Sequence, residues 1–178
     1  MTNADDELVD VLNGRNQVVR TATRAEVRAG NLRHRTVFIA VVDEARQLLV
    51  HQRARWKDVW PSYWDVAFGG VVDAGEGSLR AAVRELDEEA GIDAGAGWNT
   101  LESLGAGTYE DDLVDEHAEI YLIRHPGPFA GRDGEVQQVR WVALANLDRW
   151  LRGVRCVPDS LALVVPRLRS RFDLHGRD

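Results

Sequence analysis

The chain has 178 residues, enough for one domain with a substantial core. Hydrophobic residues make up 44% and charged residues 29%, an ordinary globular balance, and a net charge of −7 leaves no basic footprint for nucleic acid. A single cysteine, Cys156, excludes an intramolecular disulfide and fits a reducing cytoplasm; the acidic start over residues 1–10 has no apolar signal-peptide core, and no apolar run approaches membrane-spanning length.

Residues 8–12 and 17–21 read as short strands around the turn Asn13-Gly14-Arg15-Asn16, and residues 24–28 read as a helical turn ending at Gly30-Asn31. This hairpin, over about residues 7–30, forms an N-terminal extension. Residues 36–42 are almost continuously apolar and β-branched, the pattern of a buried strand. A turn at 43–46 leads to a second strand at 47–52. The aromatic loop 56–64 follows, holding Trp56, Trp60, Tyr63 and Trp64, then a strand at 64–68 that runs into Gly69-Gly70. Beyond residue 92, a small-residue connection at 94–98 precedes strands at 101–109 and 116–124, joined by the acidic loop Glu110-Asp111-Asp112. A loop at 125–133 carries proline and glycine. A strand at 139–143 centres on Trp141, a helix is predicted at 146–152, and a last helix at 161–172 is capped by Asp159 or Ser160. The polar tail frays.

The stretch from Gly70 to Ile92 organises the rest. Leu79, Ala82, Val83, Leu86 and Ala90 recur at three- and four-residue steps, making the apolar stripe of a helix. Ser78 is placed to cap its start, and Gly91 to end it in the left-handed conformation with Ile92 folding back. Away from the stripe, Glu85, Glu88 and Glu89 share one patch. Like charges at that spacing each cost ~0.2–0.5 kcal/mol, and two of them sit where the helix dipole favours cations. A solvated acidic face is one explanation; a bound Mg²⁺ or Mn²⁺, which take hard oxygen ligands, is the other.

The wider spacing favours the second. Gly70, Glu76, Arg84-Glu85-Leu86, Glu88-Glu89 and Gly91-Ile92 match all nine defined positions of the Nudix box, Gly-x5-Glu-x7-Arg-Glu-U-x-Glu-Glu-x-Gly-U with U aliphatic, so the chain resembles the Nudix hydrolases. The resemblance implies an α+β fold, a Nudix-type α/β/α sandwich with a mixed β-sheet, as one domain over residues 1–178. It implies a small-molecule diphosphate substrate, with no nucleic acid or membrane partner, and Mg²⁺ (or Mn²⁺) held by Gly69, Glu85, Glu88 and Glu89. Glu85, Arg84 and Glu89 become the expected catalytic set: Glu85 orients or deprotonates the attacking water, and Arg84 fixes Glu85. Glu76 is expected to bond with Arg84 or with backbone amides. Arg53 and Lys57, beside the aromatic loop, are candidate phosphate contacts. Glu119 is the candidate substrate-side carboxylate from a later strand, with Glu116 as its alternative. His34 is read as a structural or substrate-edge histidine, and His117 as a surface one.

A narrower likeness covers residues 31–92. His34-Arg35, Leu48-Leu49, Arg53, Lys57, Trp60-Pro61 and Trp64 are similar to the isopentenyl diphosphate isomerases and their Nudix relatives. Those isomerases carry a protonating cysteine where this chain has Gly69, and a metal-binding histidine where it has Val71. The architecture is carried over and the isomerase chemistry is not. The expected function is a Mg²⁺-dependent hydrolase cleaving a diphosphate linkage in a nucleoside-diphosphate-type substrate; isomerisation of isopentenyl diphosphate and idle nucleotide binding are the alternatives.

Overall fold

The structure is a computed structural model that describes residues 4–93, 101–132 and 134–174. The chain opens with an antiparallel hairpin of β1 (Leu8–Leu12) and β2 (Val18–Thr23). The Asn13 side chain accepts from the backbone N–H groups of Arg15 and Gln17, and Asn16 takes the left-handed conformation, φ 59°, which asparagine tolerates because its short polar side chain bonds locally. Thr23 and Glu26 then form a reciprocal capping box on α1 (Arg24–Ala29). Val9, Val11, Ala22 and Val27 pack together with Leu32 and Val71, so the extension brings a small core of its own.

β3 (His34–Val42) is the centre of the sheet. Its side chains alternate between two cores: Phe38, Ala40 and Val42 enter one, and Val37, Ile39 and Val41 the other. Burial on both faces explains the unbroken apolar run. β4 (Gln47–Arg53) returns antiparallel beside it, and β5 (Trp64–Asp65) adds to β4. The strand expected over 64–68 is divided. After Asp65, whose carboxylate accepts from the Ala67 N–H at 3.3 Å, the chain changes partner, and β6 (Phe68–Val71) pairs with β3, Gly69 opposite Phe38 and Gly70 opposite Val37.

α2 (Ser78–Glu85) carries the apolar stripe and continues without a break into a π turn, Leu86–Ala90, that ends at Gly91 with φ 67°. Ile92 folds back, its N–H donating to Leu86 O at 3.1 Å. Gly77, not Ser78, occupies the cap position and makes no side-chain cap bond. Ser78 lies one residue inside and its hydroxyl instead donates to Glu119 at 2.9 Å. β7 (Glu102–Glu110) and β8 (Asp115–Arg124) form a second hairpin. β8 runs parallel to β3 from His34↔Glu116 to Val42↔Arg124, and β9 (Val136–Ala143) lies antiparallel along β4.

A 3-10 turn, Leu144–Asn146, leads into α3 (Leu147–Leu151). The expected final helix starts earlier, at α4 (Pro158–Leu163), and is interrupted at Val164 before α5 (Val165–Phe172). Pro166, lacking an N–H, cannot continue the α4 hydrogen-bond ladder. Asp159 therefore stands inside the first turn of α4 and not at a cap. The predicted connection at 94–98 and the end of the tail lie outside the described residues.

Nine strands join one mixed sheet among the described residues. Ala81, Ala82, Leu86 and Ala90 of the α2 segment cover one face, and Leu147, Leu163, Val165, Leu168 and Phe172 the other. This is the α/β/α sandwich that the sequence predicts.

Candidate active site

Two glycines set how closely the α2 segment approaches β6. A Cβ on Gly69, which has φ 150°, would fall 1.9 Å from Val37 O, and one on Gly70 would fall 2.7 Å from Glu85 Oε1. With no side chains there, the flank of the helix that bears Glu85 and Glu89 presses onto the strand. The Gly69 N–H donates to Glu89 Oε2 at 3.0 Å. Glu85 is only 9% exposed and Glu89 only 3%. The three carboxylates therefore do not form one solvated acidic face: Glu85 and Glu89 are buried, and Glu88, with its side chain 46% exposed, is the one that reaches solvent.

Burial has an electrostatic cost. It pushes the Glu85 carboxyl up to about 7, against the pull of the Arg84 guanidinium and with a further push from Glu88. Glu89 is held well above the usual carboxylate range, first by burial and then by the charge of Glu85, with the Gly69 N–H pulling the other way. Arg84 gathers the neighbouring groups. Its Nη1 donates to Glu85 Oε1 at 2.7 Å and Glu88 Oε2 at 3.2 Å, and its Nη2 to Glu76 Oε2 at 3.1 Å and Val71 O at 3.2 Å. Glu76 also accepts from the Asp73 N–H at 3.4 Å, so one guanidinium ties the loop, the helix and β6 together. Among the described residues, no three His, Cys, Asp or Glu side chains converge closely enough to hold an ion as they stand; the guanidinium bridges Glu85 and Glu88.

Of these groups, Arg84, Glu85 and Glu88 open onto a cavity of about 480 Å³, and Glu76 and Glu89 lie behind its lining. Gly69, Gly70, Arg84, Glu85 and Glu88 form one side of its lining. Arg53 and Lys57 also line it, although both are engaged: Arg53 donates to Val59 O at 3.2 and 3.3 Å, and Lys57 is ion-paired with Glu135. Trp60 faces the cavity, Trp56 is exposed, and Trp64 packs edge-on against Trp150, so the three tryptophans of the aromatic loop take three different environments. His34 lines the cavity with Nδ1 2.9 Å from Leu32 O, and burial lowers its pKa. His117 lies beside Thr108 on the β7–β8 ladder.

Glu119 is not brought into the cavity. Its carboxylate accepts from Ser78 Oγ at 2.9 Å and Tyr121 Oη at 2.7 Å, and it sits on the α2 side of the sheet. Glu116, three residues earlier and so on the opposite face, lines the cavity together with Thr36, Asp65 and Asp159. The last three were not foreseen. Asp159 reads as a helix cap and Asp65 as a residue within the strand at 64–68, and no local pattern signals that two strands and a helix bring them together with Thr36.

Comparison with known proteins agrees with this architecture. The NUDIX domain model matches residues 32–158. The uncharacterised Nudix hydrolase YfcD of Escherichia coli K12 is 37% identical over 161 residues, covering 89% of this chain and 84% of its own. PA4841 of Pseudomonas aeruginosa, likewise called an uncharacterised Nudix hydrolase, is 40% identical over 159 residues, covering 89% and 91%. In fold, the chain superposes on the crystal structure of DR0079 from Deinococcus radiodurans with a TM-score of 0.74 at 23% identity, covering 92% of this chain and 98% of that one. With the box on the α2 segment and matches spanning most of its length, the chain belongs to the Nudix hydrolases, enzymes that cleave pyrophosphate bonds in diphosphate-containing substrates.

Proposed function

We propose that the chain is a Mg²⁺-dependent pyrophosphohydrolase, with Mn²⁺ as an alternative ion, acting on a diphosphate that joins a nucleoside to a second group. The observation that carries this reading is the buried pair Glu85 and Glu89 beneath Gly69 and Gly70. Their hard oxygen donors fit a divalent cation. Burial raises the proton affinity of both, and the charge of Glu85 raises that of Glu89 further; bound positive charge relieves that cost. The absent Cβ of Gly70 leaves the space in which the Glu85 carboxyl turns. Glu85, Glu88, Glu89 and the Gly69 carbonyl are the proposed ligands, with Arg84 releasing its arm on Glu88.

A bound Mg²⁺ supplies charge for the diphosphate oxygens and acidifies a water. The chain's own residues do the rest. Glu85, oriented by the 2.7 Å bond from Arg84, takes the proton of the attacking water. The water oxygen bonds to phosphorus, and the anhydride oxygen leaves with the electron pair as a phosphate anion. Glu89, fixed by the Gly69 N–H, holds the opposite side of the carboxylate pair. Arg53 and Lys57 face the phosphates from across the cavity. Glu119, committed to Ser78 and Tyr121, drops out of the substrate contacts. The isomerase alternative has no support here, since the protonating position is Gly69 and the only cysteine, Cys156, is not in the cavity lining.

The test is a panel of nucleoside di- and triphosphates, sugar nucleotides, dinucleotides and isoprenoid diphosphates, with Mg²⁺ or with chelator, and with the products identified. We expect metal-dependent cleavage of at least one diphosphate. It should fall by two orders of magnitude or more in Glu85→Gln and Glu89→Gln, while circular dichroism shows the fold intact, in line with the ~10²–10³ lost when a single charge-stabilising group is removed from other enzymes. Unchanged turnover in both variants would remove the assignment.

A further inference from the structure

A groove of about 480 Å³ lies beside β9 and α3, lined by Arg140, Asn146, Arg149, Trp150, Gly153 and Val154. None of these residues lines the catalytic cavity. Every polar side chain among them can donate hydrogen bonds, and none meets a hydrogen-bond or ion-pair partner among the described residues. Arg140 is held over the Trp64 ring, 5.6 Å from its centroid, and enters no ion pair; Arg149, exposed on α3, enters none either. Asp148, the acid next to Arg149 in sequence, is taken by Arg169 at 2.5 Å. Asn146 stands at the N-cap of α3 yet its side chain makes no cap bond. Trp150 Nε1 is buried without a partner. The chain carries a net charge of −7, yet no carboxylate lines this groove among the described residues.

We propose that this groove is a second ligand site, for a small organic phosphate, with Arg140 and Arg149 taking the phosphate oxygens and Trp150 and Val154 the apolar body. The proposal goes beyond the hydrolase reading and does not rest on it. Three physical points favour it. Two guanidiniums with no internal counter-ion match the charge of a phosphate dianion, and each can present two parallel N–H donors to its oxygens. Arg140 is already confined by the Trp64 ring, so less side-chain freedom is lost when it binds. The groove also has an apolar wall: the half-buried Trp150 is braced edge-on by Trp64 at 5.6 Å, and an aromatic ring offers a rigid face for a flat organic group. An inorganic anion would leave that wall uncovered, and an uncharged ring would leave both guanidiniums without a partner. An organic phosphate meets both halves of the groove.

The experiment titrates the ¹⁵N-labelled full chain with phenyl phosphate, in Mg²⁺ and at constant ionic strength, and follows the indole N–H resonances. Trp150→Phe and Trp60→Phe assign the two that matter. Trp150 borders the groove and Trp60 faces the catalytic cavity, so the two sites report separately. The Trp150 resonance should move saturably with a Kd on the order of 1 mM, as befits a small ligand on an open surface. Arg140→Gln and Arg149→Gln should each weaken that binding about tenfold, as loss of a charged hydrogen-bond donor implies, and inorganic phosphate should bind severalfold more weakly than phenyl phosphate. Thermal melts confirm that the variants fold, and Arg149→Gln, which removes no protein contact, carries the test if Arg140→Gln disturbs Trp64. A stationary Trp150 resonance, whether or not that of Trp60 moves, or a Kd unchanged in both variants would overturn the site. Inorganic phosphate bound as tightly as phenyl phosphate would overturn the assigned ligand class. All of these outcomes are read without turnover, so failure to cleave any diphosphate would overturn the hydrolase reading and leave the groove standing.

Discussion

Glu116→Gln should stabilise the protein at alkaline pH and leave it nearly unchanged in acid. Glu116 is buried on β8 with Asp65 and Asp159 as neighbours, and its carboxyl is raised from an ordinary 4.5 to about 8, chiefly by burial. A raised carboxyl pKa means that the folded state keeps a proton which the unfolded chain releases near pH 4.5. Stability from this group is complete below that pH, declines as pH rises, and is fully lost once the folded carboxyl also ionises, above about 8. At ~1.4 kcal/mol per pH unit, the penalty at pH 9 is on the order of 5 kcal/mol. Gln keeps the shape without the charge, and its amide can donate to the unpartnered Thr36 Oγ1. If it recovers half the penalty, the melting temperature at pH 9 rises by about 5–10 °C for a chain of this size, and the two proteins melt within about 2 °C of each other at pH 4.5. Calorimetric melts of both proteins at half-unit intervals from pH 4.5 to 9 measure the difference directly, and titrating groups that do not interact with Glu116 cancel in it. Parallel curves across that range would show that Glu116 does not carry a desolvated charge and would refute the reasoning.

Two further outcomes follow from the glycine-lined site. Mg²⁺ at about a hundred times its dissociation constant should add ~2.7 kcal/mol to apparent stability; Glu88→Gln with Glu89→Gln should raise the metal-free melting temperature slightly and remove most of that response, and equal metal-induced shifts in both proteins would place the ion elsewhere. Gly70→Ala, whose new Cβ would meet Glu85 Oε1 at 2.7 Å, should cost ~1–3 kcal/mol in denaturant unfolding as an overpacking change and lower turnover more than tenfold by displacing the carboxylate; full activity would show that the position of Glu85 does not matter.

The parts of the molecule readable in the sequence are those fixed by local spacing. The nine box positions locate the α2 segment and its Gly91 stop, and the β-branched run at 36–42 locates the central strand, because both patterns are properties of one element. Burial of Glu85 and Glu89 is a property of two. Helical period separates the acidic flank from the apolar one but does not show that a strand bearing Gly69 and Gly70 will cover that flank. The exchange of Glu119 for Glu116 has the same origin. Alternation along β8 puts them on opposite faces, and which face borders the cavity depends on β5 and α4, far away in the chain. The division of the strand at 64–68 was hidden for a related reason: Trp64 and Phe68 both suit a strand, but each pairs with a different neighbour.

The two groups of buried acids show why charge alone does not identify a site. Glu85 and Glu89 lie beside a guanidinium within hydrogen-bonding distance of one of them, and beside a backbone N–H that reaches the other. Their desolvation is partly offset by the protein itself, and the divalent cation of the proposed function would complete the offset. Glu116, Asp65 and Asp159 have backbone N–H donors to two of their number and no ion pair among the described residues. Burial instead raises the proton affinity of Glu116 and of Asp159. The nearest cations separate the two groups: Arg84 donates to Glu85 at 2.7 Å, whereas Arg53, the guanidinium that bears on Asp159, directs its donors to Val59 O.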